Sequence, residues 1–83
     1  MNNTMTIDIR DKNKYNSGHI DNAINIMEGD LIYNHNLYLN KNTIYYIYCD
    51  FGNRSKRVVN YLNSLGYKCV NIDGGYNNYL LEK

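Results

Sequence analysis

The stretch Ile44-Tyr45-Tyr46-Ile47-Tyr48-Cys49-Asp50-Phe51-Gly52-Asn53-Arg54-Ser55 constrains this chain more than any other. A β-branched and aromatic run reads as a strand, and it stops at a cysteine. A short glycine-containing loop follows. A helix is then predicted from Arg54 or Ser55 to about Leu65, with Val58, Val59, Leu62 and Leu65 on its buried face and Lys56, Arg57 and Asn63 outside. The first N–H groups of a helix have no partner within it and carry partial positive charge. A loop curling around such an end aims several N–H groups at one point and makes an anion site. A thiolate is stabilised there, so a cysteine in that place is nucleophilic near neutral pH. Cys49 is the candidate catalytic residue. Free cysteine is often a mere core residue, but here the strand end, glycine loop, Arg54 and helix start coincide.

The rest of the chain alternates short strands with short helices. Met5, Ile7 and Ile9 alternate as in a strand. Asp11 is placed to cap a helix through Lys14, Tyr15 and Asn16, which Ser17-Gly18 ends. Ala23 to Ile26 reads as a second strand. Met27 to Asn42 is expected to be irregular helix and loop, with Leu31, Ile32, Leu37 and Leu39 on helical turns and breaks at Gly29-Asp30 and His35-Asn36. Thr43 to Tyr48 is the strongest strand, apolar on both faces, as befits a central parallel strand covered by helices. Gly66 caps the long helix, Cys69 to Ile72 forms a fourth strand, Asp73-Gly74-Gly75 turns, and Tyr76 to Leu81 closes as a helix. The pattern predicts one α/β domain over residues 1–83, with a small parallel sheet between helices.

Composition excludes several classes of function. A net charge of +1 gives no reason to expect nucleic acid or a membrane surface as partner. No apolar run is long enough to span a bilayer. Met1 to Thr6 has neither a basic start nor an apolar block, so no signal peptide is expected and a cytoplasmic setting is. There Cys49 and Cys69 are expected to stay unpaired, Cys69 as a small core residue. His19 and His35 lie far from each other and from both cysteines, so neither a metal nor any other cofactor is expected. His19 is read as a packing and hydrogen-bonding residue and His35 as solvated.

With these residues in view, the chain resembles the single-domain rhodanese (thiosulfate sulfurtransferase-like) family along nearly its whole length. Four stretches carry the resemblance: Asp8-Ile9-Arg10, Gly18-His19-Ile20 leading to Ala23-Ile24-Asn25-Ile26, the Cys-x-x-Gly-x-Arg-Ser loop from Cys49 to Ser55, and Gly66-Tyr67 followed by Asp73-Gly74-Gly75. The resemblance implies a three-layer sandwich with the parallel sheet in the middle. It also implies a sulfurtransferase, in which Cys49 takes a sulfane sulfur from a donor such as thiosulfate as a persulfide. The sulfur then passes to a thiol or cyanide acceptor, or to a protein. Asp50, Phe51, Gly52, Asn53, Arg54 and Ser55 would bind the substrate sulfur, the loop supplying N–H donors without any side-chain acid or base. Two roles are open to Arg54: turned outward to hold an anionic donor, or inward to brace the loop. Ser55 is expected to cap the helix, and Asp8 and Arg10 to fix backbone near the site.

The chain departs from the family pattern in several places: few residues precede Asp8, and Tyr79 stands where tryptophan is common. Asn22 stands where glycine is usual. Asp50 follows the cysteine, and a carboxylate beside the thiol opposes a doubly charged donor. Tyrosine phosphatases are the nearest rival, but their loop is longer than the four residues between Cys49 and Arg54, and a smaller cradle suits one sulfur atom better than a phosphate. The alternative from another class is a non-catalytic module of the same fold that binds a partner or senses oxidants.

Overall fold

The computed structural model describes residues 3–82. Met1, Asn2 and Lys83, at the two ends of the expected domain, lie outside the described residues, and so does part of the stretch on which the signal-peptide expectation rests. The elements run β1 (Thr4–Asp8), α1 (Lys12–Ser17), β2 (Ile24–Asn25), α2 (Glu28–Tyr33), α3 (His35–Tyr38), β3 (Ile44–Tyr48), α4 (Asn53–Ser64), β4 (Lys68–Asn71) and α5 (Gly75–Leu81). All strand pairs are parallel, and the sheet order is β2-β1-β3-β4, which puts β3 in the interior as its composition requires.

Strand alternation sends Ile7, Tyr45, Ile47 and Cys69 to one face. They meet Val58, Val59 and Leu62 of α4, with Leu31 and Leu39, in the main core. The second face holds a polar cluster at the C-terminal ends of the strands. Asp8 and Tyr48 are fully buried there, and the Arg10 guanidinium lies 4.3 Å from the Tyr76 ring of α5. Further down the same face the cover runs out: the register partners Tyr46 and Val70 are 37% and 44% exposed. The expected three layers are therefore present, with the second helical layer covering one end of β3 and not its whole length.

Differences from the expected element bounds have local causes. Gly29 and Asp30 sit inside α2 and do not break it. Glu28 and Asp30 fall in its first turn, where acidic side chains favour the helix dipole. The break falls at Asn34, between α2 and α3, and Leu37 faces solvent at 77% exposure while Leu31 and Leu39 are buried. β2 shrinks to Ile24–Asn25, although Ala23 and Ile26 flank it as buried residues. Asn22 has φ 69°, the left-handed conformation that asparagine tolerates better than most residues, which accounts for its standing in a glycine position. Asp11 caps α1 by accepting from the Lys14 N–H, and Gly66 takes φ 98° after α4, both as expected. His35 is not simply solvated, since its Nδ1 lies 2.8 Å from the Tyr67 hydroxyl.

Candidate functional site

At the end of β3 the chain leaves the sheet through Cys49, and Gly52 enters α4 as its N-cap in the left-handed conformation (φ 96°). A side chain on Gly52 would meet the Gly74 backbone nitrogen at 2.9 Å, so glycine is required there twice over. The loop curls around the sulfur. Gly52 N–H donates to Cys49 Sγ at 3.2 Å and Ser55 N–H at 3.4 Å. Burial pushes the thiol up, but the Ser55 hydroxyl and the N–H groups of Ser55, Gly52 and Phe51 outweigh it and hold Cys49 below the ordinary thiol value. The expected anion cradle is thus formed around the thiol by backbone donors.

The cradle is braced from below by α5. Tyr76 N–H donates to the Cys49 carbonyl and Asn77 N–H to the Asp50 carbonyl, each at 2.9 Å. Gly75 lies so close that a Cβ on it would meet those same two carbonyl oxygens at 2.4 and 2.7 Å. The Asp73-Gly74-Gly75 turn is therefore a packing requirement of the loop as well as a change of direction.

Of the seven expected site residues, Cys49, Asp50, Phe51, Asn53 and Arg54 line one cavity of about 220 Å³. Phe51 is two-thirds exposed at its rim. Gly52 and Ser55 are buried behind the sulfur instead. Ser55 does not cap α4: it lies inside the first turn, and no side chain bonds at the Gly52 cap. Arg54 lines the cavity and its Nε donates to Glu28 Oε1 at 2.9 Å, both side chains being partly exposed.

The Asp50 carboxylate bonds to Lys14 Nζ at 2.7 Å and lies 3.6 Å from Arg10 Nη1. Burial raises it, but the Lys14 hydrogen bond and the charges of Lys14 and Arg10 bring it below the ordinary carboxylate value. Its negative charge is offset by Lys14 and, at longer range, by an Arg10 that is itself paired with Asp8. Arg10 also pairs with Asp8 at 2.7 Å and donates to the Gly18 carbonyl, while the Tyr48 hydroxyl donates to Asp8 and accepts from Ile20 N–H. Asp8 and Arg10 thus fix the backbone near the site, as expected. His19 stacks on Tyr15 with its Nδ1 2.8 Å from the Tyr15 carbonyl, a packing role as expected.

Sequence reasoning missed Lys14, Glu28, Asn71 and Gly75 as parts of the site. The first three reach it only through tertiary contact, and spacing carries no trace of that. Among the described residues no group of three or more His, Cys, Asp or Glu is arranged to hold a metal, and no helix is long and apolar enough to cross a membrane.

Comparison with known proteins agrees with this geometry. The family model described as Rhodanese-like domain matches residues 1–82. An adenylyltransferase and sulfurtransferase, uba4, of Ogataea parapolymorpha is 40% identical over 70 residues, which are 83% of this chain and 18% of that protein. The thiosulfate sulfurtransferase GlpE of Tolumonas auensis is 37% identical over 70 residues, 83% of this chain and 65% of that protein. The chain thus spans less than two thirds of either relative's length. The crystal structure of a rhodanese-related protein from Thermoplasma volcanium superposes with a TM-score of 0.87 at 30% identity, over 95% of this chain and 78% of that one.

Proposed function

The chain belongs to the rhodanese-like domain family, and from that premise we propose that it is a sulfurtransferase working through a persulfide on Cys49. The Cys49 thiolate attacks the sulfane sulfur of the donor. A Cys49–sulfur bond forms as the donor's own bond to that sulfur breaks, and the leaving group takes the electron pair; with thiosulfate it departs as sulfite. An acceptor thiolate or cyanide then attacks the outer sulfur, and Cys49 leaves as the thiolate. Two relatives carry sulfur transfer in their names, and the reading extends it to this chain.

The observation that carries the proposal is the set of N–H donors converging on Cys49 Sγ. They stabilise a sulfur anion and need no acid or base, and neither step requires a proton transfer by a side chain. Asp50, Phe51, Gly52, Asn53, Arg54 and Ser55 make the cradle and its walls in this reading, with Phe51 offering an apolar rim to a small thiol or a protein acceptor. A reducing cytoplasm suits the two free thiols.

Intact-protein mass spectrometry after incubation with thiosulfate tests the reading. The wild type gains one sulfur that thiol reductant removes, and Cys49→Ser gains none. Reversal matters because sulfinic acid adds nearly the same mass but resists thiols. No reversible adduct from thiosulfate or from an enzymatic persulfide donor overturns the transferase in favour of a binding or oxidant-sensing module.

A further inference from the structure

We propose that Asn71, on β4, is a positioning residue that decides which way the Ser55 hydroxyl points and so how strongly the Cys49 sulfur anion is held. The proposal rests on Cys49 being the reactive thiol. Asn71 Nδ2 donates to the Gly52 carbonyl at 3.3 Å and to Asp73 Oδ1 at 2.8 Å. Both partners only accept, so the amide cannot be turned over without facing oxygen against oxygen. Its Oδ1 must therefore face Ser55 Oγ, 2.5 Å away.

That fixes the serine in turn. Asn71 Oδ1 has no proton to give, so the single Ser55 hydroxyl proton lies on the Asn71 side, a far shorter contact than the 3.3 Å to the Gly52 carbonyl. A lone pair of Oγ then faces Cys49, whose thiol donates to it at 3.4 Å. This arrangement suits the protonated thiol. Once Cys49 ionises or carries a persulfide, the sulfur anion and Asn71 Oδ1 compete for one proton, and Ser55 can serve only one of them. Asn71 thereby competes for the donor that Ser55 offers the thiolate and leaves the sulfur less stabilised and more nucleophilic than it would be with the hydroxyl free, since thiolate reactivity rises with basicity. The charged groups around this triad are Asp73 beyond the amide, Asp50 with Lys14 and Arg10 beside the cysteine, and Arg54 with Glu28 on the cavity wall. Of these only Asp73 touches Asn71, and it loses the amide hydrogen bond in the Asn71 substitutions below.

Iodoacetamide labelling of Cys49 against pH tests this without any sulfur transfer, so it stands apart from the persulfide experiment. Asn71→Ala frees the hydroxyl to donate to sulfur. The labelling midpoint moves to lower pH, and the thiolate fraction below the midpoint rises about fivefold, the size of effect an ordinary hydrogen bond gives. The limiting rate of the fully ionised thiolate falls about twofold. Ser55→Ala moves the midpoint up, and adding Asn71→Ala to it changes nothing further. Asn71→Leu, which fills the same volume without an acceptor, repeats the Asn71→Ala result and serves if the alanine variant does not fold. An upward shift from both substitutions at Asn71, or the same shift with and without Ser55, shows that Asn71 acts on the loop as a whole and overturns the proposal.

Discussion

Two cysteines belong to one core and have opposite chemistry. Cys49 and Cys69 are almost equally buried, at 3% and 7% exposure, and both belong to the same apolar cluster. Burial pushes both thiols up. At Cys69 nothing opposes it and the value reaches about 11, whereas at Cys49 the N–H groups of the loop and the Ser55 hydroxyl reverse it. Depth in the core therefore does not decide reactivity. The decisive variable is whether backbone donors point at the sulfur or are used up in the sheet, and a strand end followed by a helix start is where unused donors occur.

The largest expected effect tests that contrast directly. In the folded protein at pH 7, iodoacetamide labels Cys49 at least about a hundredfold faster than Cys69, read by peptide mass spectrometry. Cys49→Ser abolishes sulfur loading and Cys69→Ser leaves it intact. A Cys69 that labels as fast as Cys49 would sink the comparison.

Next comes the brace. Gly75→Ala forces a Cβ against the Cys49 and Asp50 carbonyls at a φ of 60°, so the loop must shift. The variant loses about 2 kcal/mol or more in urea unfolding, and its Cys49 labelling slows towards that of Cys69. Unchanged labelling with lowered stability would mean that the cradle holds its shape without α5.

A subtler difference lies in alkaline stability. The Cys69 thiol is raised above its ordinary value of 9.0, so its contribution is fully present below pH 9 and is lost as pH rises towards 11. Relative to wild type, Cys69→Ala loses about 1 to 2 kcal/mol at neutral pH from the missing packing. It then falls less steeply between pH 9 and 11, by about 2 to 3 kcal/mol in total. Parallel curves for the two proteins would contradict the buried, unassisted state of Cys69.

The smallest effect concerns Asp50. Its carboxyl is held below 3.8, so the stability it adds is present above that pH and is lost as pH falls below it. Lys14→Ala removes a partly exposed partner and costs a few tenths of a kcal/mol at neutral pH, shrinking to nothing in acid. It also uncovers the Asp50 charge, so the KM for thiosulfate rises while that for a neutral donor does not.

Much of this was legible along the chain. The Ile44 to Ser55 stretch carries its own strand, turn and helix signals, all local, and so do the Asp11 cap and the Gly66 stop. The polar frame of Asp8, Arg10 and Tyr48 was legible only as separate residues. What closes it are contacts across 28 and 40 positions, Ile20 to Tyr48 and Tyr48 to Asp8, which no local pattern encodes. The same holds for Lys14 and Glu28, which look like ordinary exposed helix residues and turn out to set the charges around Asp50 and Arg54. Ser55 was misread as a cap because the glycine before the helix leaves the capping position without a side chain, and the serine is free to serve the sulfur instead.

The clamp of α5 on the loop has a consequence for the order of events in the cell. Synthesis delivers Cys49 well before Tyr76 and Asn77, whose N–H groups fasten the carbonyls of Cys49 and Asp50. Until those late residues dock, the carbonyls of Cys49 and Asp50 lack these donors. The loop that carries the nucleophile is thus fastened last, by the same docking that finishes the fold.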